Sequence, residues 1–231
     1  SMKILHPKIF FRADGSTSIG LGHLVRCSAL AQMLKDDFEI NFCCREIPEI
    51  LHDEMLDAGF NFSRINKEAE FFDLLSDDCI VVLDGYHFDT QYQKQVKATG
   101  AILVCIDDLH DKEFFANLII NHIPGVTSQD YKAQPYTQFA LGLEYALLRP
   151  AFLEQAKKQR TLEKIDTLLI CFGGSDPKNL NQSTLKVAMQ FSKFKKIIVV
   201  TGMAYHLSNS FEKLVASDPR IEHLHSLNEK Q

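Results

Sequence analysis

The residues best equipped for chemistry lie in one glycine-rich stretch, Asp14-Gly15-Ser16-Thr17-Ser18-Ile19-Gly20-Leu21-Gly22-His23. Glycines such as Gly20 and Gly22 permit positive φ and let a ligand approach the backbone closely. A helix starting here aims unpaired N–H groups and its positive dipole end into the same space, which suits a diphosphate or a developing negative charge. Leu21 stands where a Walker loop carries lysine, and the spacing does not fit G-x-G-x-x-G, so the loop alone reads equally well as a plain strand-to-helix turn. His23 changes the balance. In a first helical turn the dipole favours neutral imidazole, the form a general base must take, so His23 is expected at the helix start, open to a ligand.

A second turn of the same kind is Gly173-Gly174-Ser175-Asp176, again between an apolar run and a helical pattern. Its amides and Ser175 form a second candidate phosphate cradle, while Ser175 or Asp176 could equally serve as an ordinary helix cap, and the two roles are compatible. Asp14, Asp84 and Asp107 each end an apolar run. Ligands of open α/β sheets bind beyond the carboxyl ends of strands, so these acids are expected on one rim as substrate contacts. Asp107-Asp108 could suggest a metal, but sugar-hydroxyl contacts or a solvated loop fit better, and no metal is expected. Cysteines 27, 43, 44, 79, 105 and 171 form no C-x-x-C pair, and five sit in apolar stretches. Reduced, mostly buried thiols and a cytoplasmic setting follow.

The elements that must position these residues alternate short β-rich runs with helical ones, the pattern of a parallel α/β protein. Strands are expected at 8–12, 39–44, 79–83, 102–106, 118–121 and within 139–148; helices are expected from Leu24 to Leu34 and at 49–58, 71–75 and 91–98. Arg149-Pro150 punctuates the pattern, and 150–164 reads as a charged helical bridge. A second unit restarts with strands at 167–172, 197–201 and 221–224 and helices at 179–191 and 207–216. Two domains are expected, 1–150 with the His23 loop and 151–231 with the second turn, the latter having too few strands for a closed sheet and so looking cut short.

Bulk properties exclude other classes. Apolar residues at 45% and charged residues at 24% of the 231 are ordinary globular usage. A net charge of −5 offers no footprint for nucleic acid. No apolar run reaches the ~20 residues of a membrane helix, and the N-terminal segment is too short in apolar residues for a signal peptide. A monomer is the expectation for oligomeric state.

The segments FRADGSTSIGLGHLVRC (10–27), LDGYHFD (83–89), CIDDLHD (105–111), LGLEYALLRPAF (141–152) and CFGGSDPKN (171–179) resemble the UDP-sugar hydrolases of pseudaminic acid biosynthesis and their spore-coat polysaccharide relatives. The resemblance runs in order through almost the whole chain. It implies two Rossmann-like domains of GT-B type and cofactor-free, metal-independent hydrolysis of an anomeric C–O bond, giving UDP and free sugar with inversion. It further implies His23 as general base, Tyr86 near the sugar, Asp14 in the active loop, and Gly173, Gly174 and Ser175 on the UDP side. A GT-B glycosyltransferase and a non-catalytic fragment that binds sugar nucleotides are the alternatives.

Overall fold

The computed structural model describes residues 6–159 and 161–227. Two compact units emerge, Ser1–Gly15 with Leu21–Pro150, and Ser16–Gly20 with Ala151–Gln231.

The larger unit runs β1 (Lys8–Ala13), α1 (Gly22–Leu34), β2 (Glu39–Cys44), α2 (Glu49–Asp57), β3 (Asn61–Arg64), α3 (Glu68–Phe72), β4 (Cys79–Asp84), α4 (Thr90–Ala98) and β5 (Ile102–Ile106). It continues with the two-residue strand β6 (Glu113–Phe114), then β7 (Leu118–Asn121), β8 (Lys132–Ala133) and β9 (Gln138–Leu141). Seven strands form one sheet in the order β3-β2-β1-β4-β5-β7-β9, and every pair in it is parallel. β6 and β8 pair separately.

The sheet is covered on both faces, and β1 shows why. Ile9, Phe11 and Ala13 point into a core layer with Leu24, Cys27 and Ala31 of α1 and Phe42 of β2. Phe10 points the other way, into a layer with Val81, Leu83, Val96 of α4 and Leu103. Successive strand side chains alternate faces, so a strand apolar at both parities needs helices on both sides. Phe11 is fully buried, worth about 1.5–3 kcal/mol by the usual transfer bookkeeping. Arg12 breaks the apolar run yet is also fully buried. It is held by Glu68 at 2.6 Å and Asp14 at 2.8 Å, with Phe88 beneath the guanidinium.

From β1 the strands spread outward both ways, β2 and β3 on one side and β4 onward on the other. The order therefore reverses between β1 and β4. In such sheets the two crossover loops part at that point and leave a crevice beyond the strand ends.

The second unit contains α5 (Pro150–Ala156), β10 (Thr167–Cys171), α6 (Leu180–Ala188), β11 (Lys196–Thr201), α7 (Asn209–Ala216) and β12 (Ile221–His225). Its three strands are parallel in sequential order, around a core of Ile170, Leu185, Ile197, Val199 and Phe211.

Several expectations shift. The helix expected at 71–75 forms at Glu68–Phe72, because Glu68 is drawn to Arg12 and Tyr92. The strand expected within 139–148 forms at Gln138–Leu141, and Gly142 then turns the chain at φ 107 into a single 3-10 turn. The helical bridge shortens to Pro150–Ala156. β3, β6 and β8 were not expected from the residue pattern.

Candidate active site

The His23 loop joins β1 to α1. Within it Ser16 and Gly20 exchange backbone bonds of 2.8 and 3.3 Å, and Gly20 makes the return at φ +87, a conformation costly for any residue with a side chain. Leu21 caps the helix without a side-chain bond, Gly22 is its first residue, and His23 lies in the first turn as expected. The accompanying expectation of an open imidazole is corrected: His23 is 7% exposed. Tyr86 packs its ring edge-on against the imidazole, with centroids 4.7 Å apart, and Asp84 meets Nδ1 at 2.7 Å.

Asp84 is the last residue of β4, so this pair sits at the β1/β4 reversal. An ionised carboxylate only accepts, so Nδ1 carries a proton, and in the neutral ring the lone pair is then on Nε2. Arg26, one turn along α1, comes within 3.4 Å of Nδ1, too long to compete with the carboxylate. Its fork instead grips Asp84, Nε to Oδ2 at 2.5 Å and Nη2 to Oδ1 at 2.6 Å. Nη1 reaches Asp108 Oδ2 at 3.1 Å, and the Tyr86 hydroxyl donates to that same oxygen at 3.2 Å. Burial opposes the Arg26 charge, but the two carboxylates outweigh it and raise its pKa further. Burial and Asp108 likewise push the Tyr86 phenol upward. Burial and nearby Arg12 hold the neighbouring His87 below its ordinary value.

Three strand-end acids were expected to face substrate, and the structure gives each other work. Asp84 has no exposed side-chain surface, and both its oxygens are spent on His23 and Arg26. Asp14, 4% exposed, accepts from the backbone N–H of Arg45 and Glu46 and from Arg12. It ties β1 to the loop after β2. Asp107 accepts from the His110 N–H at 2.8 Å and the Tyr131 hydroxyl at 2.9 Å, which closes its own loop. Buried carboxylates must be satisfied, and backbone donors are what a loop supplies. Of the expected set, Tyr86, more than half exposed, and Gly22 do face solvent. Arg26 is a functional candidate that residue types alone had not singled out, and Asp108, expected beside Asp107 as a sugar or solvent contact, joins it through the Arg26 guanidinium. The i, i+3 spacing of His23 and Arg26 was the available signal, since it stacks both on one helix face.

Curated relatives bear on this arrangement. The chain is 30% identical over 200 residues to a UDP-2,4-diacetamido-2,4,6-trideoxy-β-L-altropyranose hydrolase from Campylobacter jejuni, covering 84% of this chain and 69% of that one. It belongs to that hydrolase's family. A second relative, the spore coat polysaccharide biosynthesis protein SpsG of Bacillus subtilis, is 28% identical over 97% of this chain and 68% of its own length. No protein-family model matches. A solved O-GlcNAc transferase mutant from Thermobaculum terrenum superposes with TM-score 0.48 at 11% identity, covering 97% of this chain and 45% of its own; that is too distant to bear on fold or chemistry.

In this family member the second glycine turn follows β10. Gly173 has φ +75, and Gly174 passes so close to Gly202 that a Cβ there would lie 2.4 Å from the Gly174 Cα. The expected nucleotide role of Asp176 meets a competing claim. Asp176 is 6% exposed and accepts from the N–H groups of Leu180 and Asn181, each at 2.8 Å. It thus caps α6 and occupies two of the donors a phosphate would use. Ser175 is half-buried beside it. Among the described residues, no group of three or more His, Cys, Asp or Glu is placed to hold a metal, and no helix is long and apolar enough to cross a membrane.

Proposed function

We propose that this protein hydrolyses the anomeric C–O bond of a UDP-linked diacetamido-trideoxy sugar, with His23 as the base. The observation that carries the reading is the His23–Asp84 pair at the β1/β4 reversal, which leaves Nε2 without a hydrogen-bond partner among the described residues. Water on the face opposite the diphosphate gives its proton to Nε2 and its oxygen to the anomeric carbon. The C–O bond breaks with its electron pair leaving on UDP, so the sugar is released with inversion. UDP leaves as a stabilised anion, and the acid of ordinary glycosidases is dispensable. Asp84 then steadies the imidazolium, as the carboxylate does in catalytic triads.

In this reading the two units are the Rossmann-like domains of a GT-B enzyme, residues 1–150 carrying the base and 151–231 the UDP side. Amides of Gly173, Gly174 and Ser175 meet the diphosphate, Asp176 shapes that turn, and Tyr86 borders the sugar. Six free cysteines, five of them buried, accord with a cytoplasmic setting.

His23→Asn should preserve the fold and UDP binding while lowering turnover by roughly two to four orders of magnitude, the usual worth of a general base. The acidic limb of the kcat/KM profile should vanish with it. Free sugar plus UDP as products marks a hydrolase, a new glycoside marks a transferase, and binding without turnover marks neither. Near-normal turnover in the variant overturns the assignment.

A further inference from the structure

Arg26 stands behind the His23–Asp84 pair with only 14% of its side chain exposed, too enclosed to be a general substrate clamp. Its three guanidinium nitrogens serve two arms. One arm is the fork on Asp84, which ends on His23 Nδ1. The other runs through Asp108 to the Tyr86 hydroxyl and ends at the imidazole ring, against which Tyr86 packs. The five side chains close a ring of contacts with Arg26 at its junction.

We infer that Arg26 is the positioning residue of this site, fixing the His23 tautomer and the seat of Tyr86 at once and sharing the charge of Asp84. The inference rests on His23 being the base. A carboxylate 2.7 Å from an imidazole favours imidazolium, which has no lone pair to accept a proton. A permanent cation bonded to the same carboxylate and 3.4 Å from Nδ1 opposes that second proton, so Asp84 can orient the ring without charging it. The groups around His23 are Asp84 from β4, Arg26 from α1, Tyr86 and His87 from the loop after β4, and Asp108 from the loop after β5. Asp14, at the end of β1, is neutralised by Arg12. Lysine cannot replace this arginine: a point charge makes no planar fork and cannot hold two carboxylates in fixed directions.

The test follows the His23 imidazole nitrogens by NMR through a pH titration of the whole chain, in the wild type, Arg26→Lys and Arg26→Gln. Steady-state UDP release is measured on the same samples. The wild type should show the Nδ1–H tautomer. In Arg26→Gln the titration midpoint should move up by about one pH unit or more, with Arg26→Lys in between. At neutral pH kcat should fall about ten- to hundred-fold with KM nearly unchanged, and part of the loss should return at higher pH, where the ring is neutral again. Removing Arg26 leaves the buried Asp84 and the half-buried Asp108 without that cation, so if Arg26→Gln does not fold, Arg26→Lys decides. A folded variant with the wild-type tautomer and midpoint overturns the inference. If the wild type releases no UDP, the functional reading fails, yet the NMR comparison still decides the role of Arg26.

Discussion

Replacing Asp84 by asparagine sets two roles for this acid against each other. The side chain has no exposed surface, so a substrate cannot touch it, and its effect must pass through His23. Its Oδ1 accepts from His23 Nδ1 at 2.7 Å and from Arg26 Nη2 at 2.6 Å, while Oδ2 accepts from Arg26 Nε at 2.5 Å. Asparagine offers one oxygen. With that oxygen on the His23 side, its NH2 faces the Arg26 Nε–H, donor against donor, and the fork is lost. With the amide flipped, its NH2 donates to Nδ1 and drives the proton to Nε2, which removes the base. The second outcome is the wrong-tautomer state that costs about 10⁴ in kcat in catalytic triads. The first forfeits only positioning, worth about 10². Turnover of Asp84→Asn should therefore fall by about 10²–10⁴, or about 3–5.5 kcal/mol at 1.4 per decade. KM for the UDP-sugar should stay within about threefold, since no ground-state contact has been removed. Initial rates of UDP release over a substrate series measure both parameters. A raised KM with kcat intact would place Asp84 on the substrate and refute the reasoning.

Three other outcomes test the scaffold. Burial pushes the Glu68 carboxyl up, but bonds from Arg12 and Tyr92 win and hold it below its ordinary 4.5. A depressed carboxylate stabilises above its unfolded pKa and loses that contribution as pH falls through the folded value; the urea midpoint should drop below about pH 5, less steeply in Glu68→Gln, and parallel slopes would remove Glu68 from the account. A methyl at Gly202 would meet the Gly174 Cα at 2.4 Å, so Gly202→Ala should cost about 1–3 kcal/mol in chemical denaturation and weaken UDP binding by calorimetry; unchanged affinity would place the nucleotide elsewhere. Of six cysteines only Cys171 is exposed, and burial pushes the Cys43 and Cys44 thiols up to about 12. A thiol reagent should modify one cysteine in the native protein and six in urea, and rapid native labelling beyond one would contradict the core assignment.

What could be read from the residues was whatever local pattern decides. β2, β5 and β7 have the bounds expected from their apolar runs, because strands buried on both faces leave an unbroken signature. β3 left no such trace. Its NFSR has one apolar residue, it lies at the sheet edge, and backbone pairing with β2 defines it. β6 and β8, two residues each, are too short for any period to register. α3 was displaced because its acids look like loop, whereas Glu68 is a tertiary partner of an arginine 56 residues earlier.

The site divides along the same line. His23 could be found because the glycine loop and the helix start are consecutive in sequence. Its carboxylate partner lies 61 residues away, and the three strand-end acids all read alike, as substrate contacts. What separates them is where their lone pairs go. Asp14 and Asp107 each accept from backbone N–H groups, so they hold loops shut. Among the described residues Asp84 accepts from no backbone group, only from His23, Arg26 and Cys27 of a single helix. An acid bonded to backbone can only stabilise the shape around it. An acid bonded to a histidine sets which nitrogen holds the proton, and so passes its influence to Nε2. Strand position brings all three carboxylates to the rim, but the donors that reach them decide which one does chemistry, and those donors become visible only when the chain has folded.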